Sequence, residues 1–218
     1  YKQGGAAKTM LVTQLESHHA REVLPCVDEP AAKATFDVNI TCAAGLTALS
    51  NMPVKNKALI NKDVQTVDFE TSPRMSTYLL AVAIGELHNL SGKTKNGVDV
   101  SVWSTTSHPT QNLQFALDHA IQYIEFFEEY FGVPYPLPKS DQLALPDVSS
   151  GTAAMENWGL VTYREESLVV DPVKTSIAVK RRAAVVIAHE LSHQWFGNLV
   201  TMQWWNDLWL NESFATVM

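Results

Sequence analysis

Near residue 100 the hydrophobic pattern of the chain changes period, and that change constrains its fold more than any other feature. Up to it, TFDVNITC, VDFE, STYLLAVAIGEL and VDVSVW are short runs, several alternating every second residue, separated by Pro, Gly, Asn and Asp. Alternation of that kind is the mark of strands buried on one face. STYLLAVAIGEL is long enough for a helix, but Thr77, Tyr78, Val82 and Ile84 favour strand. Beyond it, PTQNLQFALDHAIQYIEFFEEYFG places Leu113, Leu117, Ile121, Ile124, Phe127 and Phe131 at helical spacing, with Gly132 and Pro134 as stop signals. YPLPKSDQLALPD reads as a proline-bounded loop and a short strand, and GLVTYREESLVVD as further strand. From about Lys174 the pattern is helical again, through KRRAAVVIAHELSHQWFG. The expected organisation is a β-rich domain over residues 1–98 followed by an α+β domain over residues 99–218, both partial.

Composition narrows the function. With 218 residues and 46% hydrophobic content the chain can bury a sizeable core. No stretch reaches the roughly 18 apolar residues that a membrane helix needs. The formal charge of −7 argues against a nucleic-acid partner. Two cysteines, Cys26 and Cys42, are too few for a disulfide scaffold, and a reduced pair is expected. Asn39-Ile-Thr41, Asn89-Leu-Ser91 and Asn211-Glu-Ser213 match the glycosylation pattern, but matches this short arise easily by chance. The chain opens at Tyr1 without a targeting segment and closes inside an apolar helical pattern at NESFATVM. It therefore reads as an internal segment, with the remaining domains of a longer polypeptide as partners.

The densest chemistry lies in HELSHQWFGNLVTMQWWNDLWLNE, residues 189 to 212. His189 and His193 are four apart in a segment that favours helix, so both imidazoles face one side. Two neutral imidazoles at that spacing can grip one Zn²⁺, and Glu190 beside them is placed to take a proton from a water on the metal. A catalytic zinc needs a third protein ligand. Gly197-Asn198 breaks the helical pattern, and a second helical run carries Glu212, which a turn could return to the histidine pair. Asp207 is a candidate to orient a ligand. Against this stands a plainer reading, because a bare His-Glu-x-x-His occurs by chance and a buried His paired with Glu is common. Glu16 and Glu156, taken alone, read as solvated loop acids. His18 and His19 invite a second metal site, but adjacent residues of a strand point to opposite faces. His88, His108 and His119 have no partner pattern.

Together, HELSHQWFGNLVTMQWWNDLWLNESFA, AAMENWGLVTYRE and QLESHHAREVLPCVDEPAAKATF resemble the aminopeptidase N family of zinc metallopeptidases (gluzincins), in particular its bacterial lysyl/alanyl and puromycin-sensitive branches. The resemblance runs through nearly the whole chain. It implies a β-rich N-terminal domain leading into the first half of a thermolysin-like zinc peptidase domain. The family's zinc ligands fall on His189, His193 and Glu212, with one Zn²⁺ per chain, and its general base falls on Glu190. Its Gly-Ala-Met-Glu-Asn motif is matched by Ala153, Ala154, Met155, Glu156 and Asn157, and its Gln-x-Glu motif by Gln14, Leu15 and Glu16. The substrate's free α-amine would then be held by Glu156 and Glu16, and the substrates would be peptides with a free N-terminus. A cytoplasmic location follows from the bacterial resemblance and the cysteines.

Two departures from the family pattern stand out. Ala153 replaces the motif's leading glycine, and SSGTAAMEN carries two extra residues, with Gly151 displaced upstream. The family's transition-state tyrosine would lie beyond Met218, so Tyr130, Tyr135 and Tyr163 do not take its place and the segment alone is expected to be inactive. An epoxide-opening hydrolase of the leukotriene-converting kind shares the zinc motif. A binding protein on a degenerate peptidase fold is the reading from another class.

Overall fold

A computed structural model of the chain describes residues 1–147 and 153–218. Short antiparallel strands fill the first part. β1 (Lys2–Gln3) and β2 (Ala6–Ala7) form a hairpin, followed by β3 (Leu11–Val12), β4 (Asn39–Ala43), β5 (Thr47–Ser50), β6 (Val54–Leu59), β7 (Val64–Phe69) and β8 (Val82–Gly85). They make two three-stranded sheets, ordered β4-β7-β6 and β3-β8-β5. Period-two patterning sets their faces: β7 buries Gln65, Val67 and Phe69, while β4 buries Ile40 and turns Asn39 and Thr41 outward.

STYLLAVAIGEL is not one strand. Thr77–Leu79 forms a 3₁₀ turn, and only Val82–Gly85 is extended into a sheet before the chain changes sheet. The reason is a side chain from elsewhere. The Asn51 amide donates to the Leu79 carbonyl (2.7 Å), and its oxygen accepts the Ala81 N–H (2.9 Å), so these buried backbone groups need no neighbouring strand.

The second part is a mixed five-stranded sheet. β9 (Leu87–Lys93) and β10 (Asp99–Thr105) are antiparallel; helix α1 (Gln114–Phe131) then crosses over to β11 (Lys139–Leu145), parallel to β10. β12 (Ala154–Met155) and β13 (Leu160–Arg164) complete the order β12-β13-β11-β10-β9. β9 pairs with β10 from Lys93 opposite Asp99 to Leu87 opposite Thr105, so a division at residue 98 would cut a hairpin. Sheet membership changes at Glu86, and the change of period near residue 100 marks the approach to α1 instead. The strand expected through GLVTYREESLVVD stops at Arg164, where Glu165–Leu168 makes one helical turn, α2, with both glutamates in its first turn.

α1 ends where expected, on Gly132 in the left-handed region (φ 65°). α3 (Ile177–Ser192) starts from Ser176, whose hydroxyl accepts the Val179 N–H, and α4 (Trp209–Val217) follows a 3₁₀ turn. Leu117, Ile124 and Phe127 of α1, Val100 and Val102 of β10, and Ile187 and Leu191 of α3 join Ile40, Val67 and Tyr78 in one buried cluster, so both parts share a core. A buried ammonium also ties them. Lys139 Nζ donates to the Ser50 carbonyl (2.7 Å), the Gly159 carbonyl (2.8 Å) and Asp141 (2.6 Å), and Trp103 Nε1 donates to the same carboxylate. Among the described residues no helix is long and apolar enough to cross a membrane.

Candidate active site

α3 is shorter than the sequence suggested: it ends at Ser192, with His193 as the capping residue still in right-handed geometry and its N–H on the His189 carbonyl (3.2 Å). The chain turns through residues 193–196 before Gly197, so the break comes one turn earlier than Gly197-Asn198. That still leaves the two imidazoles one turn apart, ring planes perpendicular, with Nε2 atoms 3.0 Å from each other. α4 packs on α3 and brings Glu212 Oε2 to 3.2 Å from His189 Nε2 and 3.6 Å from His193 Nε2.

These three separations test whether a metal fits. Ligand atoms about 2.0–2.1 Å from an ion at tetrahedral angles stand about 3.3 Å apart, and 3.0, 3.2 and 3.6 Å bracket that value. The tautomer also fits. His193 Nδ1 lies 3.0 Å from the Phe196 carbonyl, which can only accept, so Nδ1 carries a proton, and the neutral ring would turn its Nε2 lone pair toward the other two donors. The Phe196 carbonyl, and not Asp207, is the group that orients this ring; Asp207 lies in the 3₁₀ turn before α4.

The electrostatics favour a cation. Burial works against a charge on His193, but the Glu156, Glu212 and Glu190 carboxylates outweigh it and push the imidazole up to about 10. Contacts with the His189 and His193 rings hold the Glu212 carboxyl far below its ordinary range. Burial raises Glu190 well above the usual carboxyl value, and the neighbouring Glu156 adds to it. Glu16 is pushed up to about 8 by burial, then by Glu156 and Glu212, with His193 opposing.

Of the residues singled out in the sequence, Glu16, Glu156, His189, Glu190, His193 and Glu212 line one cavity of about 590 Å³, with Ala153 and Ala154 at its wall. Glu156 is 4% exposed, and its Oε1 is buried without a hydrogen-bond partner among the described residues. Gln14 and Met155 line a neighbouring cleft of about 450 Å³, and Asn157 is buried behind the wall with its amide toward Thr162. The displaced Gly151 and the two extra residues lie outside the described residues. His18 and His19 are not in a strand: they occupy a turn with their rings stacked at 4.8 Å, and His19 meets Glu22 at 2.8 Å.

Residues 1–79 match the model of the peptidase M1 N-terminal domain, and residues 115–218 match that of the peptidase family M1 domain. The chain belongs to peptidase family M1, the aminopeptidase N family. It is 57% identical over 221 residues to Aminopeptidase N of Lactococcus lactis subsp. lactis, covering all of this chain and 26% of that protein. It is 51% identical to the Puromycin-sensitive aminopeptidase of Caenorhabditis elegans (99% of this chain, 23% of that protein) and 48% identical to Aminopeptidase M1 of Arabidopsis thaliana (99% and 24%). The chain thus spans about a quarter of the length of the curated relatives it matches. The order of the two M1 regions agrees with the N-terminal and peptidase halves read from the sequence.

Sequence reasoning missed the amides that frame this M1 site. Gln194 donates to the main-chain carbonyls of Glu156 and Glu190, Asn198 donates to the Glu156 carbonyl, and Asn51 donates to the Trp158 carbonyl. Gln194 and Asn198 sit beside the second histidine, which was the one available signal.

Proposed function

We propose that the protein of which this chain is part is a zinc-dependent aminopeptidase that releases the N-terminal residue of peptides. Its peptidase half would be a thermolysin-like domain. Support comes from one convergence: three donor atoms at tetrahedral spacing share a cavity with three further buried or half-buried carboxyl groups. The relatives are named aminopeptidases, which supports peptides as the substrates.

His189, His193 and Glu212 would hold the zinc, which when bound supplies Lewis acidity and lowers the pKa of a coordinated water toward about 7. Glu190, buried beside His193 in the same cavity, would accept the proton of the attacking water and deliver it to the leaving amine nitrogen. Glu156 Oε1, buried and without a partner among the described residues, would accept a hydrogen bond from the substrate ammonium. Glu16 reaches the same cavity and would be the second carboxylate to hold the ammonium. Carboxylates at a fixed distance from the metal admit only the first peptide bond to it, as a ruler does. The two cysteines are free, in keeping with a reducing, cytoplasmic compartment.

The test of the central role is Glu190→Gln in the intact protein. Turnover should fall by about 10²–10⁴-fold, with zinc still bound at one ion per chain. Turnover within a few-fold of the parent would remove Glu190 from the proton transfer.

A further inference from the structure

We propose that Gln194 is a positioning residue that sets the span between the metal-binding imidazoles and Glu156, acting through the main chain of Glu156 and Gly159. The inference rests on the reading above, in which Glu156 holds the substrate amine.

A ruler needs its two ends fixed to each other, and Glu156 does not fix its own end. It lies in the connection between β12 and β13, outside both strands, and among the described residues no side chain holds its Oε1. What anchors it is its carbonyl. Gln194, next to His193 and fully buried, uses all of its hydrogen-bonding capacity on this task. A single nitrogen, Nε2, donates to the Glu190 carbonyl (3.1 Å) and to the Glu156 carbonyl (3.1 Å), so one NH₂ group links the backbones of the two carboxylates. Its Oε1 accepts the Gly159 N–H (3.2 Å) and faces the Tyr135 hydroxyl (3.3 Å). Both ends of the 156–159 turn are therefore referenced to the last turn of α3, the turn that carries His189, Glu190 and His193.

A second amide reinforces the first. Asn198 Nδ2 donates to the same Glu156 carbonyl at 2.8 Å. Neither Gln194 nor Asn198 lines the cavity, so neither touches substrate. Replacing the Gln194 amide removes the two links from the 156–159 turn to the end of α3 and leaves Asn198 as the remaining hold on the Glu156 carbonyl.

The experiment uses the intact protein, zinc-loaded, and two inhibitors that differ only in an α-amine: leucine hydroxamate and 4-methylpentanohydroxamate. Both can bind the metal, and the ratio of their inhibition constants reads the amine contact alone. In the parent the amine should strengthen inhibition. In Gln194→Met that advantage should shrink about tenfold, roughly the worth of one hydrogen bond to a charged group. Inhibition by the amine-free compound and zinc content should stay within about twofold. Asn198→Ala, which leaves the helix untouched, should move the ratio the same way by a smaller factor and serves if Gln194→Met does not fold. An unchanged ratio in both variants would overturn the proposal. So would a parallel weakening of both inhibitors, or loss of zinc, since either is what a merely structural residue would give. A parent with no amine advantage would instead refute the role given to Glu156.

Discussion

At the scale of single residues, Gly159 is the tightest constraint on the site. Its φ is +78°, and a Cβ there would stand 2.4 Å from the Asn51 carbonyl oxygen, a backbone atom with nowhere to go. Its N–H is held by Gln194 and its carbonyl by Lys139. Gly159→Ala should therefore destabilise the protein by about 2–4 kcal/mol, combining left-handed strain with a forced backbone shift. The drop should appear in the denaturant midpoint and be accompanied by loss of activity; a midpoint unchanged within error would show that the turn can relax. The residues proposed to do chemistry were easier to read than those that hold them. His189 and His193 follow from a four-residue spacing that any helix converts into one face. Glu16 and Glu156 were legible only through family resemblance, because nothing local distinguishes a buried loop acid from a solvated one. Gln194, Asn198, Asn51 and Lys139 escaped notice because their partners lie 38, 42, 107 and 89 residues away.

At the scale of elements, what joins the sheets is a buried charge. Lys139 at the start of β11 and Asp141 two residues on are about a tenth exposed, and the ammonium reaches β5 through the Ser50 carbonyl. Burial lowers the lysine's pKa while Asp141 opposes the shift, so the pair is held together by the geometry of its contacts more than by net gain. Lys139→Met leaves the buried Asp141 carboxylate without its cation and takes one donor from each of the Ser50 and Gly159 carbonyls, which should cost about 3–5 kcal/mol in an unfolding titration. Adding Asp141→Leu should recover much of that loss. A single variant as stable as the parent would mean that water replaces the ammonium and that the tie between the parts is dispensable. The sequence placed α1 by its apolar stripe and its Gly132 stop, and found α3 and α4 as helices while running α3 a turn too far. It misjudged STYLLAVAIGEL, where residues 76–81 are buried throughout, so that periodicity vanishes and side-chain donors such as Asn51 decide the backbone's course, and it ran the GLVTYREESLVVD strand past Arg164, where Glu165 and Glu166 open a helical turn.

At the scale of the whole molecule, β-rich and α+β parts share one hydrophobic core, and the cavity draws residues from both: Glu16 from the first, the remaining carboxylates and imidazoles from the second. The proposed ruler thus depends on how the two parts sit together, which the Gln194 and Asn198 amides and the buried Lys139 help to fix. The most direct test compares hydrolysis of a leucyl arylamide with its N-acetylated form by the intact protein, with and without a chelator. The expected result is cleavage of the free-amine substrate only, abolished by the chelator and restored by zinc. Equal cleavage of the acetylated form, or turnover indifferent to metal removal, would contradict a metal-centred site that measures its substrate from a free amine.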